Sequence, residues 1–257
     1  MPYQLPPPEQ KARYVRAKFD EIARRYGLFN DLITQGQHRR WKRVLVRRLG
    51  LKPDARGADV CCGTGDIALR CLARLGPGGG VLAADFSPNM LRIAQRRLAS
   101  GAAANRVADS AAAGRAAHAP HRQVLCADAM RLPFRTASLD FVTIGYGLRN
   151  VVDLDGCLRE IHRVLKPGGV LGSLDVGKVT RPWLRPLVDF YFFHVVPAIG
   201  RLVQRGQDMF AYLPASSLAY PGQEALRQRL LDAGFARAEI EEFVFGASVI
   251  HLAWKAG

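Results

Sequence analysis

A short apolar run, Ala58-Asp-Val-Cys-Cys-Gly-Thr-Gly-Asp66, is followed by a second, Val81-Leu-Ala-Ala-Asp85, and no other feature limits the fold of this chain as strongly. The pattern reads as a strand, a tight glycine turn into a helix, and a second strand ending on a carboxylate. An open parallel sheet holds the adenosine half of a cofactor in this way. Gly63 and Gly65 allow the sharp turn and let the backbone approach a ligand where a Cβ would collide. Asp85 can accept hydrogen bonds from both ribose hydroxyls.

The spacing Gly63-x-Gly65-x-x-Ala68 also suits a dinucleotide, so the turn alone leaves two cofactor classes open. Two features favour S-adenosylmethionine. Asp59 and Asp66 bracket the turn, and carboxylates suit a ligand with an ammonium and a sulfonium better than an anionic pyrophosphate. Further on, Cys126-Ala-Asp128-Ala129 follows a third strand, where Asp128 and Ala129 can reach the adenine amine and ring nitrogen. A methyltransferase is therefore favoured over a dehydrogenase.

At 257 residues the chain is long enough for one α/β domain with a sizeable core. The expected class is a Rossmann-like doubly wound sheet of class I methyltransferase type, mostly parallel with an antiparallel closing strand. Residues 1–50 read as a polar helical cap over the cofactor mouth, and 51–179 as the cofactor-binding core. The Ala-rich stretch 99–120 reads as a surface loop. Residues 180–222 read as a helical insertion on the substrate side, with Tyr212-Leu-Pro214 as an internal turn. Residues 223–257 supply a closing helix and two strands.

The net charge of +15 admits nucleic acid, an anionic membrane surface or simple solubility. Much of it lies in His38–Arg48, where Trp41, Val44, Leu45 and Leu49 predict the buried stripe of a helix. The arginines and Lys42 then fall on its outer face. The fourth strand, Leu139 to Asn150, lacks the Asn/Asp-Pro-Pro-aromatic of base N-methylating enzymes and any cysteine nucleophile, which argues against nucleic acid. The five cysteines lack metal-type spacing, so no metal is expected. No signal peptide is visible, and Leu187–Val203 is too short and too charged to span a bilayer. Its aromatics could lie at an interface or wall a pocket for a greasy substrate.

The segments Phe19-Asp-x-Ile-Ala-x-x-Tyr26, Phe29-Asn-Asp31, Gly36-Gln-His-Arg-Arg-Trp-Lys42, Cys62-Gly-Thr-Gly-Asp66, Gly147-Leu-Arg-Asn-Val-Val-Asp153 and Arg163-Val-Leu-Lys-Pro-Gly-Gly169 resemble the UbiE/MenG quinone C-methyltransferases. The similarity runs from about Arg16 to Trp254. It implies methyl transfer from S-adenosylmethionine to a ring carbon of a polyprenylated quinol. The motif detail looks most similar to the demethylphylloquinone and demethylmenaquinone enzymes, with the ubiquinone-branch benzoquinol as the alternative. The family's cofactor contacts fall on Thr64, Asp85, Asp128 and Ala129, and a further one, often serine, falls on Gly145. The resemblance also implies a peripheral contact of a cytoplasmic protein with a membrane (a plastid one in a photosynthetic eukaryote), and it allows a homodimer.

The chemistry itself needs an electron-rich ring, so the acceptor must be the reduced quinol, and a group that takes or balances a hydroxyl proton. Arg149 could stabilise an oxyanion but stays protonated and cannot be the base. Asn150 could hold the second hydroxyl. His38 and His194 have the pKa for proton transfer, with Tyr146 or Asp31 to close a relay. Two rivals stay open: another small-molecule or lipid methyltransferase, and a cofactor-binding partner without turnover.

Overall fold

The computed structural model describes residues 6–110, 120–203 and 209–257. Three helices open the chain, α1 (Pro8–Ile22), α2 (Tyr26–Thr34) and α3 (Gln37–Arg48). Proline at the first position of α1 loses only an N–H that has no helical partner there. Between α2 and α3 the chain reverses through Gln35 and Gly36, both left-handed, whose N–H groups return to Leu32 and Asp31. That reversal brings the end of α2 back beside the start of α3.

The alternation follows: β1 (Arg56–Val60), α4 (Asp66–Leu72), β2 (Gly80–Asp85), α5 (Pro88–Ser110), β3 (His121–Cys126), β4 (Leu139–Gly145), α6 (Leu154–Val164) and β5 (Leu165–Val176). Beyond β5 come α7 (Arg185–Phe190), a π-helical turn (Tyr191–Val195), α8 (Val196–Val203) and α9 (Met209–Ala219). The described chain closes with α10 (Gln223–Asp232), β6 (Phe235–Phe243) and β7 (Ser248–Lys255).

Seven strands among the described residues form one sheet in the order β3-β2-β1-β4-β5-β7-β6. All pairings are parallel except those of β7, which runs antiparallel to β5 and β6. The fold class read from the sequence is the one observed. Strand order reverses between β1 and β4, so the crevice lies beyond the carboxyl ends of that pair.

Two apolar layers hold the sheet. On one face Leu45 of α3, Leu72 of α4 and Leu98 of α5 pack with Phe141 and Leu174. On the other, Leu158 and Ile161 of α6 and Leu226 and Leu230 of α10 pack with Val142 and Leu171. Each fully buried leucine contributes about 1.5–3 kcal/mol. A Cβ on Gly172 would lie 2.8 Å from the side chains of Leu45 and Leu49, so this glycine sets how closely α3 can sit on β5.

Four local expectations are corrected. The helix α3 belongs to this packed layer and not to a cap. Lys42 is not on its outer face but 7% exposed, because Asp66 gives the ammonium a partner. The Ala-rich stretch is helical through Ser110 as the end of α5, as alanine's high helix propensity favours, while 111–119 lie outside the described residues. Tyr212-Leu-Pro214 is inside α9 and not a turn, since burial of Tyr212 and Leu213 outweighs the donor that Pro214 lacks.

Candidate active site

Two adjoining cavities open above the carboxyl ends of the strands. The first, about 450 Å³, is walled by Gly63, Asp85, Asp128, Ala129, Gly145 and Tyr146, with Arg13, Arg16 and Phe19 of α1 laid over it. Its size is that of a small-molecule site. At its base Asp85 is buried and fixed by two backbone donors, Gly63 N at 2.8 Å to Oδ2 and Ser87 N at 2.9 Å to Oδ1. Burial raises its pKa, and these donors oppose the rise. Each oxygen keeps acceptor capacity for a ribose hydroxyl.

The turn behind it works as read. Gly63 and Gly65 have φ of 53° and 77°, and a Cβ on Gly65 would press against Ala94 at 3.3 Å. Cys61 and Tyr146, which leave β1 and β4 side by side, also have left-handed φ and both line this cavity. Left-handed backbone away from glycine costs about 1–2 kcal/mol, and such strain concentrates at functional sites.

Three expected contacts stand outside the wall. Asp59 is 1% exposed and faces away from the cavity, accepting from Ala68 N at 2.9 Å and the Thr143 hydroxyl at 2.8 Å. It braces the turn to β4, and burial pushes its pKa up to about 7. The Thr64 carbonyl and hydroxyl accept from Arg97 at 3.0 and 2.9 Å. Gly65 shapes the turn without lining the cavity. Nor is Asp66 free for a cationic ligand: Lys42 lies 2.9 Å away, Arg97 3.4 Å and Arg70 3.6 Å. Burial alone would raise its pKa, but these cations outweigh it and bring it to about 2.

The second cavity, about 570 Å³, shares Phe19, Tyr26 and Tyr146 with the first. Its wall is mainly aliphatic and aromatic, with Phe29, Ile33, Trp41, Tyr191, Val195 and Val196 among its residues. Two charged systems enter it. His38 Nε2 lies 2.8 Å from Asp31 Oδ1, and Arg39 holds the same carboxylate from the outside. Burial lowers the His38 pKa and Lys42 adds to this, while the Asp31 hydrogen bond opposes both. The ring is therefore neutral near pH 7. The tautomer that donates to Asp31 leaves its lone pair on Nδ1, which is buried and without a partner.

Arg149 is the second system. Its guanidinium bonds Asp175 at 2.5 Å, lies 5.5 Å from the Tyr146 ring centre, and leaves Nε buried and unpartnered. Burial acts against its charge, but Asp175 outweighs it and keeps the group protonated. Asn150 lines the first cavity instead, donating to Tyr146 O at 3.0 Å and accepting from Tyr212 Oη at 3.1 Å. The two neighbours thus serve opposite sides of Tyr146. His194 is not part of either wall; it is exposed and stacks on Phe190. Sequence reasoning missed Asp175, whose signal was an acid within the apolar run Val170–Val176.

The sheet order, the glycine turn and the buried carboxylate at the end of β2 together define a class I methyltransferase. A S-adenosylmethionine-dependent methyltransferase from Aquifex aeolicus has the same fold, with a TM-score of 0.56 at 19% identity over 83% of this chain and 88% of that one. The chain belongs to the ubiE/COQ5 methyltransferase family, whose sequence profile matches residues 8–255. A demethylmenaquinone methyltransferase of Leptospira interrogans is 44% identical over 98% of this chain and 97% of its own length. The ubiquinone/menaquinone biosynthesis C-methyltransferase UbiE of Xanthomonas oryzae is 38% identical over 96% and 92%. The protein is thus a S-adenosylmethionine-dependent methyltransferase, and the first cavity fits that cofactor. Asp85 offers two acceptor oxygens, Phe86 and Met130 offer apolar contacts for the adenine, and the glycine turn lets backbone approach.

Proposed function

We propose that this enzyme C-methylates the ring of a reduced polyprenylated quinone, with a demethylnaphthoquinol of the menaquinone type as the leading acceptor. One observation carries the reading. A largely apolar cavity adjoins the cofactor cavity, and four of the residues that line it leave a buried polar atom without a partner, among them Nδ1 of His38 and Nε of Arg149. Of these two, one is a proton acceptor and the other a permanent donor, as a quinol ionising at one hydroxyl needs. The relatives named for demethylmenaquinone, at 33–44% identity, favour the naphthoquinol over the benzoquinol.

S-adenosylmethionine, when bound, supplies an electrophilic methyl on a sulfonium. The residues of the chain do the rest. Asp85 and the turn fix one partner, and the aromatic wall excludes water and seats the other. His38, oriented by Asp31, takes the hydroxyl proton that activates the adjacent carbon; once the methyl is on that carbon its ring proton leaves, and the oxygen regains a proton as the aromatic quinol is restored. Arg149, oriented by Asp175, holds the developing oxyanion. Asp128, Ala129 and Gly145, which line the first cavity, are proposed as further cofactor contacts. Asn150 anchors Tyr146 between the two cavities.

The chain works in the cytoplasm as a peripheral protein that draws its acceptor from a membrane. Among the described residues no helix is long and apolar enough to cross one. The reading is tested by methylation of demethylnaphthoquinols with and without a prenyl tail in detergent. A KM at least about tenfold lower for the tailed acceptor is expected, since each buried CH₂ contributes about 0.8 kcal/mol. Equal KM values would favour a methyltransferase for soluble phenols.

A further inference from the structure

Around the mouth of the second cavity the chain exposes large apolar side chains that the core does not use. Trp183 is 74% exposed, Leu187 66%, Phe190 58% and Phe245 56%, with Phe193 and Val244 beside them in exposure. Leu187, Phe190 and Val244 are also residues of the cavity wall, so the exposed cluster is continuous with the cavity. Monomeric proteins seldom leave a contiguous apolar patch on water without a partner for it.

The backbone here is built for display. Val244 and Phe245 are consecutive residues in left-handed conformation, with φ of 49° and 53°. For a β-branched residue this is a strained arrangement. It is held because both the N–H and the hydroxyl of Thr180 donate to Phe245 O, at 2.9 and 3.1 Å. The hairpin between β6 and β7 is thereby tied to the segment that leads into Trp183 and α7. Two separate pieces of chain thus present their aromatics as one unit.

The charge around the cluster selects its partner. Arg181 and Arg185 flank Trp183, and both are exposed. Arg185 pairs only loosely, at 3.6 Å, with Asp189. Apolar side chains flanked by arginine match the boundary between the acyl chains and phosphates of an anionic bilayer. A second copy of a chain carrying a net charge of +15 would set arginine against arginine and close the cavity mouth.

We infer that the surface formed by Trp183, Leu187, Phe190, Phe193, Val244 and Phe245 docks on an anionic lipid bilayer, so that the second cavity opens into the acyl region. This rests on the proposed quinol reading for its purpose. It also puts the membrane contact elsewhere than on the basic face of α3, which carries much of the chain's positive charge. Arg48 there is engaged with Glu239 and Glu241, and Arg39 with Asp31.

The test is flotation with phosphatidylcholine vesicles, with and without phosphatidylglycerol, on the full chain. Two variants are compared, Trp183→Ser/Phe245→Asn on the apolar surface and Arg43→Ser/Arg47→Ser on α3. None of these four residues lines a cavity, and Asn tolerates the left-handed backbone at 245. The wild type should float with the anionic vesicles. The apolar-surface variant should bind them about tenfold or more weakly while methylating a short-tailed acceptor in detergent as the wild type does. The α3 variant should lose much less. Failure of the wild type to float, or loss confined to the α3 variant, would overturn the inference. So would a dimer that the apolar-surface variant splits. Flotation does not require turnover, so a failed methylation assay would strike the quinol reading without touching this one.

Discussion

His38 Nε2 and Asp31 Oδ1 lie 2.8 Å apart across the left-handed turn that joins α2 to α3, and the histidine faces the apolar cavity as a neutral ring. His38→Gln should lower kcat by about 10²–10⁴ while leaving cofactor affinity within about twofold. Burial depresses the His38 pKa, so the acidic limb of kcat/KM should fall below the usual histidine value. Asp31 raises that pKa, and Asp31→Asn should therefore move the limb to still lower pH. An unchanged profile would remove His38 from the proton path.

Arg149 and Asp175 are both nearly excluded from solvent, which changes what a truncation reports. Arg149→Ala should destabilise by about 3–5 kcal/mol, because it strands a buried carboxylate. Turnover of that variant would confuse unfolding with chemistry. Arg149→Lys, which retains a cation for Asp175, should fold and bind cofactor but lose kcat, since an ammonium lacks the Nε–H. Melting curves beside single-turnover rates separate the two effects.

Asp85→Ala should weaken S-adenosylmethionine binding by at least about 10², the loss of hydrogen bonds from two hydroxyls to a carboxylate. Titration calorimetry reads this directly. The same variant should leave vesicle flotation unchanged.

Asp59 holds its proton up to about pH 7 in the native state, against 3.8 for an ordinary carboxyl. A raised acid pKa is a stability that is lost as pH rises through that window. Wild-type melting temperature should therefore fall between pH 5 and 8 more than that of Asp59→Asn, which does not titrate. The two slopes should differ by a few degrees across the window. Parallel slopes would mean that the carboxyl is already ionised at pH 5.

The parts of the fold that a sequence shows are those set by local pattern. Apolar strands, the glycine turn and Asp85 announce the sheet and the cofactor cavity because period and backbone geometry are written into neighbouring residues. Lys42 was not legible in the same way. A lysine between arginines on a helix reads as solvated, and only α4, brought against α3 by the fold, supplies Asp66 as its partner. Asp59 misleads for the same reason, since its partners Ala68 and Thr143 come from other elements. His38 and His194 look alike in sequence, and only the packing of α3 and the π-helical turn sends one into the cavity and the other to the surface.

The central claim is tested most directly by methyl transfer from labelled S-adenosylmethionine to two reduced acceptors in detergent, a demethylated prenyl-naphthoquinol and a methoxy-prenyl-benzoquinol. Label on the naphthoquinol ring carbon, appearing about 10²–10⁴ times more slowly in His38→Gln, is the predicted result. Label in neither ring, with calorimetric cofactor binding intact, would contradict the account.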